Sequence, residues 1–148
     1  MSLKARITED MKTAMRAKDS QRLGAVRLLL AAIKQREVDE RIVLGDADIV
    51  SVIEKMLKQR RESLSQYEKA ARADLADIER FEISVLQAYM PAALSEQEIA
   101  AEVASAMSAA GAAGMADMGR VMAELKTRIG GRADMAKVSA LVRKKLAP

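Results

Sequence analysis

Two carboxylate pairs are the residues best suited by type and spacing to do chemistry: Glu79 with Glu82, and Glu37 with Glu40. Side chains three apart lie on adjacent parts of one helical surface, where two carboxylates can share a proton or chelate magnesium. Like-charged neighbours are also common on exposed helices. With Arg80 and Arg36 beside them, ordinary surface charge or a local salt-bridge network is the plainer expectation. Ser51 and Lys55 stand four apart and would meet on a helix. A Ser/Lys dyad needs a buried lysine of lowered pKa, and no feature of the sequence predicts that burial, so a structural role is expected. The chain has no histidine and no cysteine. That removes Ser/His/Asp triads, thiol nucleophiles, zinc fingers, zinc hydrolases and histidine-supported facial triads. Neither GxGxxG nor GxxxxGK[ST] occurs, and calcium-loop spacing is lacking. No catalytic residue, cofactor or metal is expected.

A different chemistry, recognition of phosphate or of a partner surface, is suggested near the C-terminus. Gly130 and Gly131 are followed by Arg132, Ala133 and Asp134. Two glycines permit a helix-ending turn or close approach by a partner, and Arg132 offers a charged fork to phosphate. In the plainer reading the glycines end a helix, Arg132 pairs with a carboxylate and Asp134 opens the next helix. Gly119 falls inside a predicted helix, where glycine costs about 1 kcal/mol relative to alanine. Close helix packing explains it most simply, and a partner lying on the backbone is the alternative. Arg120, Lys126, Arg128, Lys137, Arg143, Lys144 and Lys145 surround these positions with positive charge. Aromatic residues are not interleaved among them, so folded RNA read through backbone and shape fits better than stacked single strands. Bases at the last helix end also suit its dipole.

Helical periodicity supplies the elements that must position these residues. A first helix is predicted over about 3–18, with Leu3, Ile7, Met11 and Ala14/Met15 on one face, and a second after Asp19 or Ser20, with Leu23, Val26, Leu30 and Ile33. Gly45 and Asp46 turn the chain into a long third helix, about 47–70, whose apolar face is interrupted by Arg60. The stem of Arg60 is expected to lie over apolar surface while its guanidinium reaches water or a carboxylate. A fourth helix, about 74–89, carries Leu75, Ile78, Glu82, Leu86 and Tyr89, and Pro91 ends it. Ser95 and Glu98 then have capping-box spacing, with Leu94 and Ile99 as a hydrophobic staple. Three short helices follow, about 96–109, 117–128 and 133–146. The expected fold is all-α: an N-terminal helical domain of about four helices, residues 1–94, and a compact three-helix C-terminal bundle, residues 95–148.

Composition agrees with that architecture. Half the residues are apolar, yet the aromatics are only Tyr67, Tyr89 and Phe81, so the cores must be built from aliphatic side chains and ten methionines. The formal charge is +4. Residues 95–117 carry four acids and no base, whereas residues 118–148 carry eight bases against Glu124 and Asp134. The late bundle is thus the polarised part of the chain. No apolar leader or membrane-spanning run is seen, which makes a cytoplasmic protein without a membrane partner the default expectation.

The segments that carry a resemblance are Lys18, Asp19, Arg22 and Leu23, then Leu28 and Ala32; Gln59, Arg60, Glu62 and Ser63; and Asp74, Leu75, Glu79, Glu82, Leu86, Tyr89, Met90 and Pro91. They continue with Asp117, Met118, Gly119 and Met122, and with Gly131, Arg132, Ala133 and Asp134. Over nearly its full length the chain resembles the YqeY family, whose C-terminal part is similar to the tail domain of the B subunit of glutamyl/aspartyl-tRNA amidotransferase. It departs at Ala71, where the family often has glycine. The resemblance implies a noncatalytic accessory protein that binds tRNA or a tRNA-handling or amidotransferase protein. Gly119, Arg120, Lys126, Arg128, Gly131, Arg132 and Lys137 are the candidate surface. Two alternatives remain: a helical protein–protein adaptor, and a participant in glutamine-dependent amide transfer to misacylated tRNA that needs catalytic partners. Kinship suggests carbon–nitrogen ligase activity with glutamine as amide donor, but no autonomous activity is expected.

Overall fold

Ser2 opens the first helix by accepting the amide of Ala5 at 3.1 Å, satisfying one of the donors that a helix start leaves unpaired. The computed structural model describes residues 1–148 and is all-helical. Helices α1 (Leu3–Arg16), α2 (Ser20–Glu40), α3 (Asp46–Lys69) and α4 (Ala73–Gln87) form the N-terminal block. α5 (Glu96–Ala109), α6 (Met118–Ile129) and α7 (Met135–Leu146) form the C-terminal three-helix bundle, with a short 3-10 turn, Met115–Asp117, leading into α6. The chain divides into two compact units, Met1–Met90 and Pro91–Pro148. No helix is long and apolar enough to cross a membrane.

In the first unit, Ile7, Val26, Leu29, Ile33, Ile49 and Ile53 are wholly or almost wholly buried and meet Leu86 and Tyr89 from α4 and its end. Burying each such aliphatic side chain stabilises by about 1.5–3 kcal/mol. Two polar contacts join helices distant in sequence. Asp46 accepts the amide of Leu3 at 3.0 Å, joining the start of α3 to that of α1. Tyr89 donates its hydroxyl to Asp10 at 2.6 Å, tying the end of α4 to α1, and burial pushes that hydroxyl's pKa up, with the Asp10 bond adding to the effect.

The fourth helix keeps its predicted face at Leu75, Glu82, Leu86 and Tyr89 but not at Ile78. Ile78 is exposed, whereas Ala76 and Glu79 are buried with Val85 and Leu86. The reason lies on α3: Arg60 offers a cation inside the bundle, and α4 turns its carboxylates toward it. The helix also stops at Gln87, before Tyr89, in a turn that precedes Pro91.

The second unit is built on Val103, Ala106, Val121, Leu125, Ile129, Val138, Val142 and Leu146. Its entry matches the predicted cap. Ser95 accepts the amide of Glu98 at 3.1 Å, and the Glu98 carboxylate accepts the amide of Ser95 at 3.2 Å. The Ser95 amide, and after it the Ser95 hydroxyl, hold the Glu98 carboxyl below its usual range. Leu94 and Ile99 both pack against the second core.

Candidate functional site

Glu79 and Glu82 do lie together, but inside the first unit rather than on its surface. Arg60 Nη1 stands 3.3 Å from Glu79 Oε1 and 2.7 Å from Glu82 Oε2, with the three side chains 26%, 9% and 16% exposed. Its N–H points at Glu79, so the buried Oε2 of Glu82 has an ion-pair partner but no hydrogen bond. Burial pushes the Glu82 carboxyl up; Arg60 pulls it down and Glu79 adds to the rise. One cation shared by two enclosed carboxylates joins α3 to α4. The expected local network exists, but Arg80 is not in it: that side chain pairs with Glu68 and Asp77 outside.

Glu37 and Glu40 separate. Glu40 pairs with Arg36 on the surface. Glu37 turns inward, where Lys4 Nζ lies 2.9 Å from its Oε1 and the amide of Leu44 donates to Oε2 at 3.0 Å. The Lys4 hydrogen bond, reinforced by the Leu44 amide, lowers the Glu37 pKa. This carboxylate fastens α1 to the loop after α2, a structural duty that spacing alone did not reveal. Ser51 and Lys55 are both exposed. No three carboxylates converge as a group that would hold a metal ion.

In the second unit the cations divide by what they already hold. Arg120 pairs with Asp117. Arg128 bonds to Glu124 at 2.9 Å and Ser105 at 2.7 Å, and lies 3.6 Å from Glu102. Arg132 donates to the carbonyl of Ala92 at 3.1 Å, while its own carbonyl accepts the amide of Leu94 at 2.8 Å, so it anchors the entry segment to the α6–α7 turn. Lys126 and Lys137 are exposed and have no ion-pair partner, as are Arg143, Lys144 and Lys145. The acids are largely occupied. Asp117 also accepts the amides of Ala113 and Gly114, and those bonds with Arg120 hold its carboxyl low. Asp134 caps α7 through the amide of Ala136.

The glycines divide similarly. Gly131 has φ 82°, a left-handed conformation that favours glycine. A Cβ on Gly130 would lie 2.5 Å from the carbonyl oxygen of Lys126. Both are explained by the turn. At exposed Gly119 a Cβ would meet nothing within 4 Å, so close internal packing does not explain that glycine.

Comparison with known proteins adds a family. A family model described as Yqey-like protein matches residues 4–146. The chain is 39% identical over 100 residues to altered inheritance of mitochondria protein 41, mitochondrial, of Eremothecium gossypii, covering 66% of this chain and 55% of that protein. Its counterpart of the same name in Pyrenophora tritici-repentis is 31% identical over 131 residues, 86% of this chain and 71% of the relative. That of Kluyveromyces lactis is 34% identical over 102 residues, 67% and 55%. The match thus spans little more than half of the first of these relatives. Their names overturn the expected cytoplasmic location, since these relatives are mitochondrial proteins by name. The physical reason is plain: missing cysteine and missing apolar runs suit more than one aqueous compartment and cannot choose between them.

Proposed function

Because the chain belongs to the YqeY family, as the match over residues 4–146 shows, we propose that it is a noncatalytic accessory protein that binds tRNA through its C-terminal unit. The observation that carries this reading is the residue of charge left after internal pairing. Glu102, Glu124 and Asp117 are occupied by Arg128 and Arg120, while Lys126, Lys137, Arg143, Lys144 and Lys145 remain uncommitted on α6 and α7. Cations without internal partners can neutralise phosphates at no cost to the fold, and release of counterions then drives association. Gly119 supports the same reading, because it leaves the backbone of the first turn of α6 open, with no neighbour within 4 Å of where a Cβ would lie. Arg120, Arg128, Gly131 and Arg132 complete the proposed surface, the last three partly as its scaffold. Any amide-transfer chemistry would reside in partners.

The test is a titration of tRNA with the full chain. Replacing Lys126, Lys137 and Lys144 by Gln is expected to weaken binding while lowering stability by no more than about 1–2 kcal/mol, the share of Lys126 and Lys144 at the ends of α6 and α7. Gly119→Ala, which fills open space, is expected to weaken binding while leaving the fold as stable or more so. Unchanged affinity in both variants would refute this surface.

A further inference from the structure

Internal pairing in the second unit sorts its cations by kind. The guanidiniums are largely taken: Arg120 by Asp117, Arg128 by Glu124 and Ser105, and Arg132 by the carbonyl of Ala92. What stays uncommitted and exposed on α6 and α7 is Lys126, Lys137, Lys144 and Lys145, with Arg143 as the one open fork. That division decides what the surface can read. A guanidinium recognises guanine by two parallel bonds to its base edge, and Asn or Gln does the same for adenine. An ammonium is a point charge with three rotatable donors, suited to phosphate oxygens in any orientation.

Other base readers are missing from the same helices. α6 and α7 carry no Asn, Gln or aromatic residue. Thr127 donates its hydroxyl to the carbonyl of Ala123 at 3.2 Å, and Ser139 is half-buried. Nor do local acids cancel the lysines. Residues 118–148 hold eight bases against two acids, of which Glu124 pairs with Arg128 and Asp134 caps α7. With charge as its main grip, the surface favours the nucleic acid of highest charge density. A double helix presents one phosphate charge per about 1.7 Å of its axis, twice the density of either strand alone. A flexible single strand is held by stacking on aromatic rings, and Tyr67, Phe81 and Tyr89 all lie outside this unit. The minor groove of an RNA helix is wide and shallow. Gly119 and Ala123, exposed one turn apart on α6, put no long side chain between the helix and such a groove.

Resting on the reading of the second unit as a tRNA-binding module, we propose that its ligand is the sugar–phosphate backbone of double-helical RNA, held through Lys126, Lys137 and Lys144 without regard to base sequence. The stems of a tRNA supply such helices. Choice among RNAs of equal helical content then falls to a partner and not to this chain.

Fluorescence anisotropy with the full chain at low salt tests this. The probes are tRNA, two RNA duplexes of about 16 base pairs, one rich in G·C and one in A·U, and an oligouridine carrying as many phosphates as a duplex. The two duplexes are expected to bind within about twofold of each other, where a single lost base contact would cost about tenfold. The oligouridine should bind at least about fivefold more weakly, and unlabelled duplex of either sequence should displace tRNA. Replacing Lys126, Lys137 and Lys144 by Gln should weaken both duplexes by the same factor; if that variant fails to fold, the comparison among RNAs on the native chain decides. A preference of about tenfold for one duplex, oligouridine bound as tightly as duplex, or tRNA that neither duplex displaces would overturn the proposal and leave the tRNA reading standing. Binding of no RNA at all, or affinities unmoved by the three substitutions, would overturn the surface itself.

Discussion

Arg60 shows how a residue's type can be legible while its environment is not. Its position on an otherwise apolar face announced a stem packed over the core with its head in water or on a carboxylate, and it reaches Glu79 and Glu82. The carboxylates themselves read as surface charge or a local network around Arg80, because a spacing of three says that two side chains share a helical face but not which neighbour covers it. Removing one partner of a buried pair strands the other, so Arg60→Met should cost about 3 kcal/mol in urea denaturation. Replacing Arg60, Glu79 and Glu82 together by apolar residues of similar volume should recover most of that loss. Glu37 belongs to the same lesson, and its sign with pH is definite. Its folded pKa lies below the ordinary 4.5, so its contribution is full above that value and is lost as pH falls through the lower, folded one. The Glu37→Gln variant should therefore be less stable at neutral pH and show a shallower loss on acidification. Identical acid limbs in denaturation curves across pH would contradict the assignment. Glu82 acts in the opposite sense. Its raised pKa makes the fold lose stability as pH rises from 4.5 through the folded value.

At the scale of elements, starts were read well and some endings were not. Ser95 with Glu98, and Asp19 accepting the amide of Arg22, announce themselves because capping uses few residue types. Helix ends in the second unit were equally legible, since Gly111 and Gly131 take the positive φ that such turns need. The first unit makes comparable turns with Lys18, Arg41 and Ala71, at φ 56°, 55° and 55°, and composition gives no warning of this. Ala71 is the informative case, as the position where glycine was the expected family residue. Ala71→Gly should relieve left-handed strain and raise stability by up to about 1 kcal/mol, the gain being limited by glycine's freedom in the unfolded chain. Gly130→Ala should act oppositely, because its methyl would press on the Lys126 carbonyl, at a cost on the order of 1–3 kcal/mol. Chemical denaturation of the two variants beside the native chain checks both signs. Within α4 the predicted face departs from the structure at one turn only: Ile78 is apolar but exposed, and Glu79 is charged but buried, where it pairs with Arg60.

For the whole molecule, the all-helical fold and its division into a four-helix block and a three-helix bundle followed from periodicity, Pro91 and the Ser95 cap. The distribution of charge along the chain likewise pointed to residues 118–148. What sequence could not supply was the internal pairing that separates structural cations from available ones. Arg128 and Arg132 are bound into their own unit, whereas Lys126 and Lys137 are not. Whether these leftover cations form a nucleic-acid surface is tested most directly by the salt dependence of tRNA binding. Each phosphate neutralised contributes about 0.9 to the slope of log affinity against log salt on a duplex. The native chain should bind with a steep slope, and the variant with Lys126, Lys137 and Lys144 replaced by Gln should show a slope shallower by about two to three. No binding at low salt, or the same slope and affinity in both proteins, would contradict the account.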